Sequence, residues 1–244
     1  MDREKIERKI AVILATDVVG YSKHMEANES ETIHNLRACE AILIELFAKH
    51  GGRLFNTGGD SFLAEFPSAV SAVECAVEFQ NAIQERNSKD DASVKLEFRI
   101  GINSGDVVKE KDNLLGDGVN IAARLEALAQ TGGITISKSV YEFVQGKTRF
   151  EYNDLGVQKV KQNEFHAFDL LVSPSQKRKI KKRKKSNLLR LALLGIILTT
   201  VIGYFVVNIS FDQVDLSKVG NKKSLLIYPF ETKNNDSQTK TLAT

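Results

Sequence analysis

The chain has 244 residues, of which 42% are hydrophobic, and this length allows one domain with a sizeable core and a smaller second part. Its two cysteines and four histidines show neither Cys-x-x-Cys nor metal-ligand spacing, which fits a reducing compartment and argues against a zinc site. The net charge of +3 is unevenly distributed, because eight basic residues and no acid lie between Lys177 and Lys185. The rest of the chain is therefore net acidic.

From Lys9 onward, the apolar residues alternate between strand and helix periods. A continuous apolar run predicts a buried strand at Ile10–Asp17, and a 3.6-residue stripe predicts a helix at Glu31–Lys49. The same criteria predict the strands Arg53–Asn56 and Phe62–Phe66, the helix Ser68–Arg86, the strand Leu96–Asn103 continuing as Asp106–Lys109, the helix Val119–Ala129, the strand Ile134–Ile136, a short helix to Val144, and strands near Phe150–Leu155 and Phe165–Leu171. The centre of this order is βαββαβ, which predicts an α+β fold with a ferredoxin-like sheet and helices on one face.

Two acidic residues stand where predicted strands end in glycine-containing turns. Asp17 opens the segment DVVGYS, and Asp60 lies inside TGGDSF between two short strands. Two carboxylates on adjacent strand ends can hold a pair of divalent cations roughly 3.5–4 Å apart, as in phosphoryl transfer. Hairpins rather than β-α crossovers surround these residues, and neither GxxxxGK[ST] nor GxGxxG occurs, which argues against a P-loop or Rossmann enzyme.

A third segment combines a glycine-rich loop with a polar helix face. Leu115–Leu125 reads LGDGVNIAARL, and its Asn120 and Arg124 stand four residues apart on one side of the predicted helix. An amide and a guanidinium that point the same way suit a ribose oxygen and a developing phosphoryl charge. The alternative is a polar helix face exposed to solvent.

Three segments together resemble the class III nucleotide cyclase catalytic domain: DVVGYS, HGGRLFNTGGDSFLAEF and LLGDGVNIAARLEALAQTGGI. They occur in the order and at the spacing of that family, and the resemblance extends from Lys9 to Leu171. It implies two Mg²⁺ or Mn²⁺ ions on Asp17 and Asp60, and two active sites at the interface of a head-to-tail homodimer. The implied reaction is attack of a ribose 3′-hydroxyl on the α-phosphorus, which releases pyrophosphate and forms a cyclic monophosphate.

The resemblance also implies roles for residues around the carboxylates. Asn120 would orient the ribose and Arg124 would neutralise charge at the α-phosphate, both from the second subunit. Lys161 resembles the lysine of the family that contacts the triphosphate. The backbone N–H groups expected to cradle the triphosphate belong to Val18, Val19, Gly20 and Tyr21.

The two base-reading positions depart from the adenylate cyclase pattern. Asn56 stands where those enzymes have a lysine, and Asn113 stands where they have an aspartate or threonine. Both positions are therefore neutral amides. ATP is the expected substrate, GTP or a pyrimidine nucleotide is the alternative, and a non-catalytic nucleotide-binding dimerisation module is the competing class.

The segment GGDSF also resembles the GGDEF segment of diguanylate cyclases. Ser61 replaces the acidic residue that follows Asp60 in that pattern. A diguanylate cyclase would also give no role to LGDGVNIAAR. The class III assignment is therefore favoured.

The most apolar part of the chain follows the basic segment. Leu191–Val207 contains seventeen residues without a charge, and Leu188–Val207 reaches twenty if Arg190 snorkels to the interface. This predicts one transmembrane helix, since a buried core helix would show a polar stripe. The preceding basic residues predict, by the positive-inside rule, a single-pass protein of the cell inner membrane with a cytoplasmic N-terminal domain. Those residues are expected to contact anionic lipid rather than nucleic acid, because no aromatic residues accompany them for stacking on bases.

The predicted organisation has five parts: a lead at 1–8, the cyclase domain at 9–172, a basic juxtamembrane linker at 173–187, a transmembrane helix at 188–209 and an extracytoplasmic tail at 210–244. In the tail, Leu225–Phe230 resembles the first strand of the TolB-like segment that follows such cyclases in some bacterial proteins. Fewer than forty residues cannot bury a stable core, so we expect either a truncated TolB-like segment or a short external appendage.

Overall fold

The structure is a computed structural model that describes residues 7–89, 94–160, 163–172, 177–178 and 188–211, with the backbone alone described at 160, 163, 188–194 and 207–211. Its strands are β1 (Glu7–Val18), β2 (Arg53–Gly58), β3 (Ser61–Phe66), β4 (Phe98–Glu110), β5 (Asn113–Leu115), β6 (Ile134–Ser137), β7 (Glu151–Val160) and β8 (Asn163–Leu171). Its helices are α1 (Tyr21–Ala27), α2 (Glu29–Lys49), α3 (Ala69–Lys89), α4 (Asp117–Leu128), α5 (Lys138–Val144) and α6 (Leu188–Phe211). The chain divides into two compact units, Met1–Lys181 and Lys182–Thr244.

The first unit is built on a mixed sheet with the strand order β2-β3-β1-β4-β6-β8-β7, and β5 pairs with β4 outside this path. β1 lies between β3 and β4 and is antiparallel to both, whereas β4 and β6 are parallel. The four strands β2-β3-β1-β4, together with α2 and α3, form the predicted βαββαβ core. The expected α+β class is therefore confirmed.

The larger core lies on the sheet face that α2, α3 and α5 cover. Val12 and Leu14 of β1 and Ile100 of β4 point into it, as expected when alternate strand residues share a face. Phe79 of α3 and Phe98 of β4 meet there edge to face, with ring centroids 5.0 Å apart. This core fixes β1 and β4 side by side along their length.

The opposite face of the sheet carries α4, so the expectation of helices on one face only is wrong for this element. Ala11, Ile13 and Ala15 of β1 pack there against Ala122 of α4. The helix lies so close to β4 that a Cβ atom at Gly101 would come within 2.2 Å of the Ala122 carbonyl oxygen. A glycine in the middle of this strand permits the close approach.

Two further elements differ from the expectations. The chain forms α1 directly after β1, where no helix is predicted, because the turn at Gly20 adopts the left-handed conformation with φ 67°. The strand that the sequence divides at Gly105 is continuous as β4, since it pairs with β1 from Phe98 to Lys109.

The second unit contains one described element, the helix α6. Among the residues whose side chains are described, the structure contains no helix that is both long enough and apolar enough to cross a membrane. The side chains at both ends of the predicted span, 188–194 and 207–209, lie outside those residues. Of the predicted tail, 212–244 also lies outside them, as do residues 173–176 and 179–187 of the predicted linker.

Candidate functional site

Asp17 lies near the end of β1, on the sheet face that α4 occupies. It follows Ala11, Ile13 and Ala15 in the alternation of that strand. Its partner on the neighbouring strand is Arg99 of β4, and the Arg99 Nη2 atom lies 3.3 Å from the Asp17 Oδ2 atom. Both side chains are about one-quarter exposed, which leaves room for a ligand.

Asp60 lies in the tight turn between β2 and β3, next to Gly59, whose φ of 71° suits glycine. Because β3 pairs with β1, this turn comes to lie beside Asp17. Burial and the negative charge of Asp17 raise the pKa of the Asp60 carboxyl, and a hydrogen bond with Asp17 acts in the same direction. The structure therefore brings the two predicted carboxylates into direct interaction.

Two charged residues that the sequence analysis missed complete this cluster. The Arg99 Nε atom lies 2.8 Å from the Glu126 Oε1 atom, so the guanidinium bridges Glu126 on α4 and Asp17 on β1. Glu126 is only 8% exposed. Burial raises the pKa of its carboxyl to about 7, while the positive charge of Arg99 opposes the shift. A signal exists in the sequence for Glu126, since its charge interrupts the apolar face of α4. Arg99 carries no such signal, because it shares its strand face with Glu97, Gly101 and Asn103.

The donor set fits divalent cations. In the described part of the chain, no group of three or more His, Cys, Asp or Glu residues could enclose a metal ion, so Asp17 and Asp60 stand as a pair. Mg²⁺ is commonly bound by one or two carboxylates together with substrate phosphates rather than by a complete protein cage. A cation between the two carboxylates would also relieve the repulsion that raises the pKa of Asp60.

Asn120 and Arg124 lie on α4, away from its contact with the sheet. The sheet side of this helix consists of Ala122, Leu125 and Glu126, which are buried, whereas Asn120 is exposed. The Nη1 atom of Arg124 is enclosed, yet it has no hydrogen-bond partner among the described residues. The two predicted catalytic side chains thus lie on the side of α4 away from the sheet, and neither forms a hydrogen bond or an ion pair with another described residue.

The predicted base-reading residues are neighbours. Asn56 follows an irregularity in the pairing of β2 with β3, and its Nδ2 atom lies 3.4 Å from the Oδ1 atom of Asn113 on β5. The same Oδ1 atom accepts a 2.9 Å hydrogen bond from the Leu114 N–H group. The amide of Asn113 is therefore oriented by the backbone, whereas that of Asn56 holds only one long contact.

The predicted triphosphate cradle is the turn from β1 into α1. Val18 ends β1, and the Val19 N–H group donates a 2.8 Å hydrogen bond to the Glu97 carbonyl oxygen. The amides of Gly20 and Tyr21 follow at the start of α1. Lys161 lies outside the described residues.

The ferredoxin-like sheet, its pair of carboxylates and the polar face of α4 define a catalytic domain of the nucleotide cyclase class. Residues 4–181 match the model of the adenylate and guanylate cyclase catalytic domain, and the chain belongs to this family. The predicted family is thereby confirmed.

Individual relatives agree with this assignment. A putative adenylate cyclase 3 of Rhizobium meliloti is 44% identical over 162 residues, which are 66% of this chain and 28% of that protein. An adenylate cyclase of Streptomyces coelicolor is 31% identical over 142 residues, which are 58% of this chain and 35% of that protein. A crystal structure described as an adenylate/guanylate cyclase/hydrolase of Silicibacter pomeroyi has a TM-score of 0.64 and 37% identity, and the match covers 68% of this chain and 98% of that one. The chain thus spans about a third or less of these curated relatives.

Proposed function

We propose that the protein is a nucleotidyl cyclase, with ATP as its main substrate, which forms a 3′,5′-cyclic monophosphate and pyrophosphate for intracellular signalling. The observation that carries this proposal is the interaction of Asp17 with Asp60 beside Arg99 on one sheet face. The carboxylates of Asp17 and Asp60 and the guanidinium of Arg99 are partly exposed, and together they suit a metal-bound polyphosphate.

Asp17 and Asp60 would hold two Mg²⁺ or Mn²⁺ ions. When bound, such ions lower the pKa of an attacking hydroxyl and stabilise charge on the transferring phosphoryl group. Arg99 would then turn from Asp17 toward the phosphate oxygens, because the cations neutralise that carboxylate. The further proposed contacts of the triphosphate are the N–H groups of Val18, Gly20 and Tyr21 and the side chain of Lys161. The N–H group of Val19, which was also predicted to contact the triphosphate, already donates to the Glu97 carbonyl oxygen.

A second protomer would supply the rest of the site. Asn120 and Arg124 lie on the side of α4 away from the sheet, and neither side chain is held by a hydrogen bond or an ion pair to another residue of the described part of the chain. A two-fold homodimer would place this helix face opposite the carboxylates of the other protomer, twice. Asn120 would then orient the ribose, and Arg124 would stabilise the charge that develops at the α-phosphate.

The preference for ATP would be moderate rather than strict. A lysine can only donate a hydrogen bond and an aspartate can only accept one, whereas Asn56 and Asn113 can do either after an amide flip. The long contact between them is easily exchanged for a contact with a base. Such a pair of amides would form hydrogen bonds with adenine. It would also form them with guanine or a pyrimidine, which are the alternative bases.

We also propose that α6 anchors the protein in the inner membrane, with the catalytic domain in the cytoplasm. This rests on the seventeen uncharged residues Leu191–Val207 and on the eight basic residues that precede them. Separation of membranes from soluble protein after alkaline carbonate treatment tests it. Recovery of the full chain in the soluble fraction would contradict the anchor and leave the cyclase proposal unaffected.

The competing function is a nucleotide-binding dimerisation module without catalysis. Release of pyrophosphate from ATP, GTP, CTP and UTP in the presence of Mn²⁺ distinguishes the two. We expect turnover that is fastest with ATP and a cyclic product by mass spectrometry. Binding of nucleotide without pyrophosphate release from any of the four would favour the module.

A further inference from the structure

Arg178 belongs by sequence to the basic segment that precedes α6, but its side chain is not solvated like that of a tail residue. Its Nε atom lies 2.6 Å from Asp169 Oδ2 and its Nη2 atom lies 2.7 Å from Asp169 Oδ1, a two-pronged ion pair. Asp169 is on β8 and is only 4% exposed. Its Oδ1 atom also accepts a 2.9 Å hydrogen bond from Thr135 of β6. The carboxylate is therefore firmly held and fixes the guanidinium.

The third guanidinium nitrogen of Arg178 contacts α4, the helix that carries Asn120 and Arg124. Its Nη1 atom donates a 3.1 Å hydrogen bond to the carbonyl oxygen of Leu128, the last residue of α4. The last carbonyls of a helix lack intrahelical donors, and a positive charge at this end is favourable. The backbone of Arg178 is held as well, because Asn153 donates a 3.2 Å hydrogen bond to its carbonyl oxygen.

Leu128 is one helical turn from Arg124. In an α-helix the N–H group of each residue bonds to the carbonyl four residues earlier, so the peptide of Leu128 is coupled directly to the backbone of Arg124. The end of α4 is held in addition by the Arg99–Glu126 ion pair and by apolar packing around Leu125, Leu155 and Ala167. Neither of these contacts reaches the last carbonyl groups of the helix, which Arg178 contacts.

We infer that Arg178 is a positioning residue of the catalytic site, which holds the C-terminal end of α4 and thereby sets the placement of Arg124 and Asn120. This rests on the proposed cyclase function for its effect on turnover. It also fastens the chain segment that leads toward α6 to the helix that carries both side chains.

The test compares Arg178→Met with Arg178→Met/Asp169→Asn and with the control Lys177→Met in the full chain. Lys177 is the exposed neighbour of Arg178 in the same segment. Its substitution therefore removes one positive charge and leaves the contact of Arg178 with α4 in place. Arg178→Met leaves a buried carboxylate unpaired and should lower the melting temperature, whereas the double variant removes that charge and should recover it. Neither variant restores the donor to Leu128.

We expect kcat to fall roughly ten- to hundredfold in both Arg178 variants, because a small displacement of a catalytic group is costly. The KM for metal-bound ATP should change little, since the carboxylates and the base-reading residues remain in place. Hydrogen exchange at the amides of Leu125–Ala129 should increase in both variants and stay unchanged in Lys177→Met.

Unchanged exchange in α4, or a kcat that returns with the melting temperature in the double variant, would overturn the inference. If the wild-type chain shows no cyclase activity, the proposed function fails separately. The exchange measurement then still decides whether Arg178 holds the helix.

Discussion

The carboxylate pair Asp17/Asp60 and the helix pair Asn120/Arg124 differ in how completely the protomer surrounds them. Around the carboxylates, Arg99 and Glu126 already provide a charged setting from two further elements. On α4, neither the Asn120 side chain nor the Arg124 side chain forms a hydrogen bond or an ion pair with another described residue. One half of the proposed site is therefore organised by the folding of the protomer, whereas we propose that substrate and a second subunit complete the other half.

The carboxylate half should be the more sensitive to substitution. Asp17→Asn or Asp60→Asn removes a charged ligand of the proposed cations, and we expect turnover to fall by about a thousandfold or more, equivalent to roughly 4 kcal/mol. Folding should persist, because Asp17 lies near a strand end and Asp60 in a turn, both outside the core. The measurement is kcat with Mn²⁺ alongside thermal unfolding, with the exposed Glu142→Gln as a charge-matched control. Near-normal turnover in both variants would remove the metal assignment.

A third pair, Asn56 and Asn113, lies outside both halves, on β2 and β5, and is proposed to select the base of the substrate. Asn56→Lys combined with Asn113→Asp should increase the preference for ATP by about five- to 150-fold, since a mismatched buried polar group costs roughly 1–3 kcal/mol. The measurement is the ratio of kcat/KM for ATP to that for GTP, CTP and UTP before and after the change. If the unmodified enzyme already prefers ATP by more than about a thousandfold, these two residues do not read the base.

The smallest expected effect concerns Glu126, the buried carboxyl that contacts Arg99. Burial raises the pKa of Glu126 from 4.5 to about 7, so the folded protein holds this proton more tightly than the unfolded chain. The associated stability is present below pH 4.5 and is lost as the pH rises through about 7. In Glu126→Gln we therefore expect a smaller decline in unfolding free energy between about pH 5 and pH 8.

Urea unfolding in EDTA measures this decline, and Glu74→Gln on the exposed side of α3 is the matched control. The pKa of Asp60 is also raised, and Glu126→Gln can only reduce this second contribution, because the two carboxylates repel each other. An identical pH dependence in the wild type and Glu126→Gln would show that this carboxyl is not the group that titrates.

Local patterns in the sequence predicted the half of the site that depends on strand ends and helix periodicity. Asp17 and Asp60 follow apolar runs that become β1 and the β2-β3 hairpin, and Asn120 and Arg124 share a helix face at a four-residue spacing. The neighbourhood of Asn56 and Asn113 also followed from the family resemblance. Each of these rests on short-range periodicity or on a motif.

What the sequence did not predict depends on contacts between distant elements. Arg99 and Glu126 meet because Gly101 lets α4 approach the strand, and the same approach places this helix opposite the others. Arg178 lies in a basic run whose composition predicts a solvated linker, yet its side chain forms an ion pair with the buried Asp169. Charge composition does not reveal which member of a run finds such a partner.

The most direct test of the shared site is complementation between Asp60→Ala and Arg124→Ala. Each variant alone should be inactive, since both of its sites lack one essential group. In a randomly mixed population half of the dimers are heterodimers, and one of their two sites is wild type at both positions, so we predict about a quarter of the wild-type activity. Verified heterodimers that remain inactive would contradict a site built from two protomers.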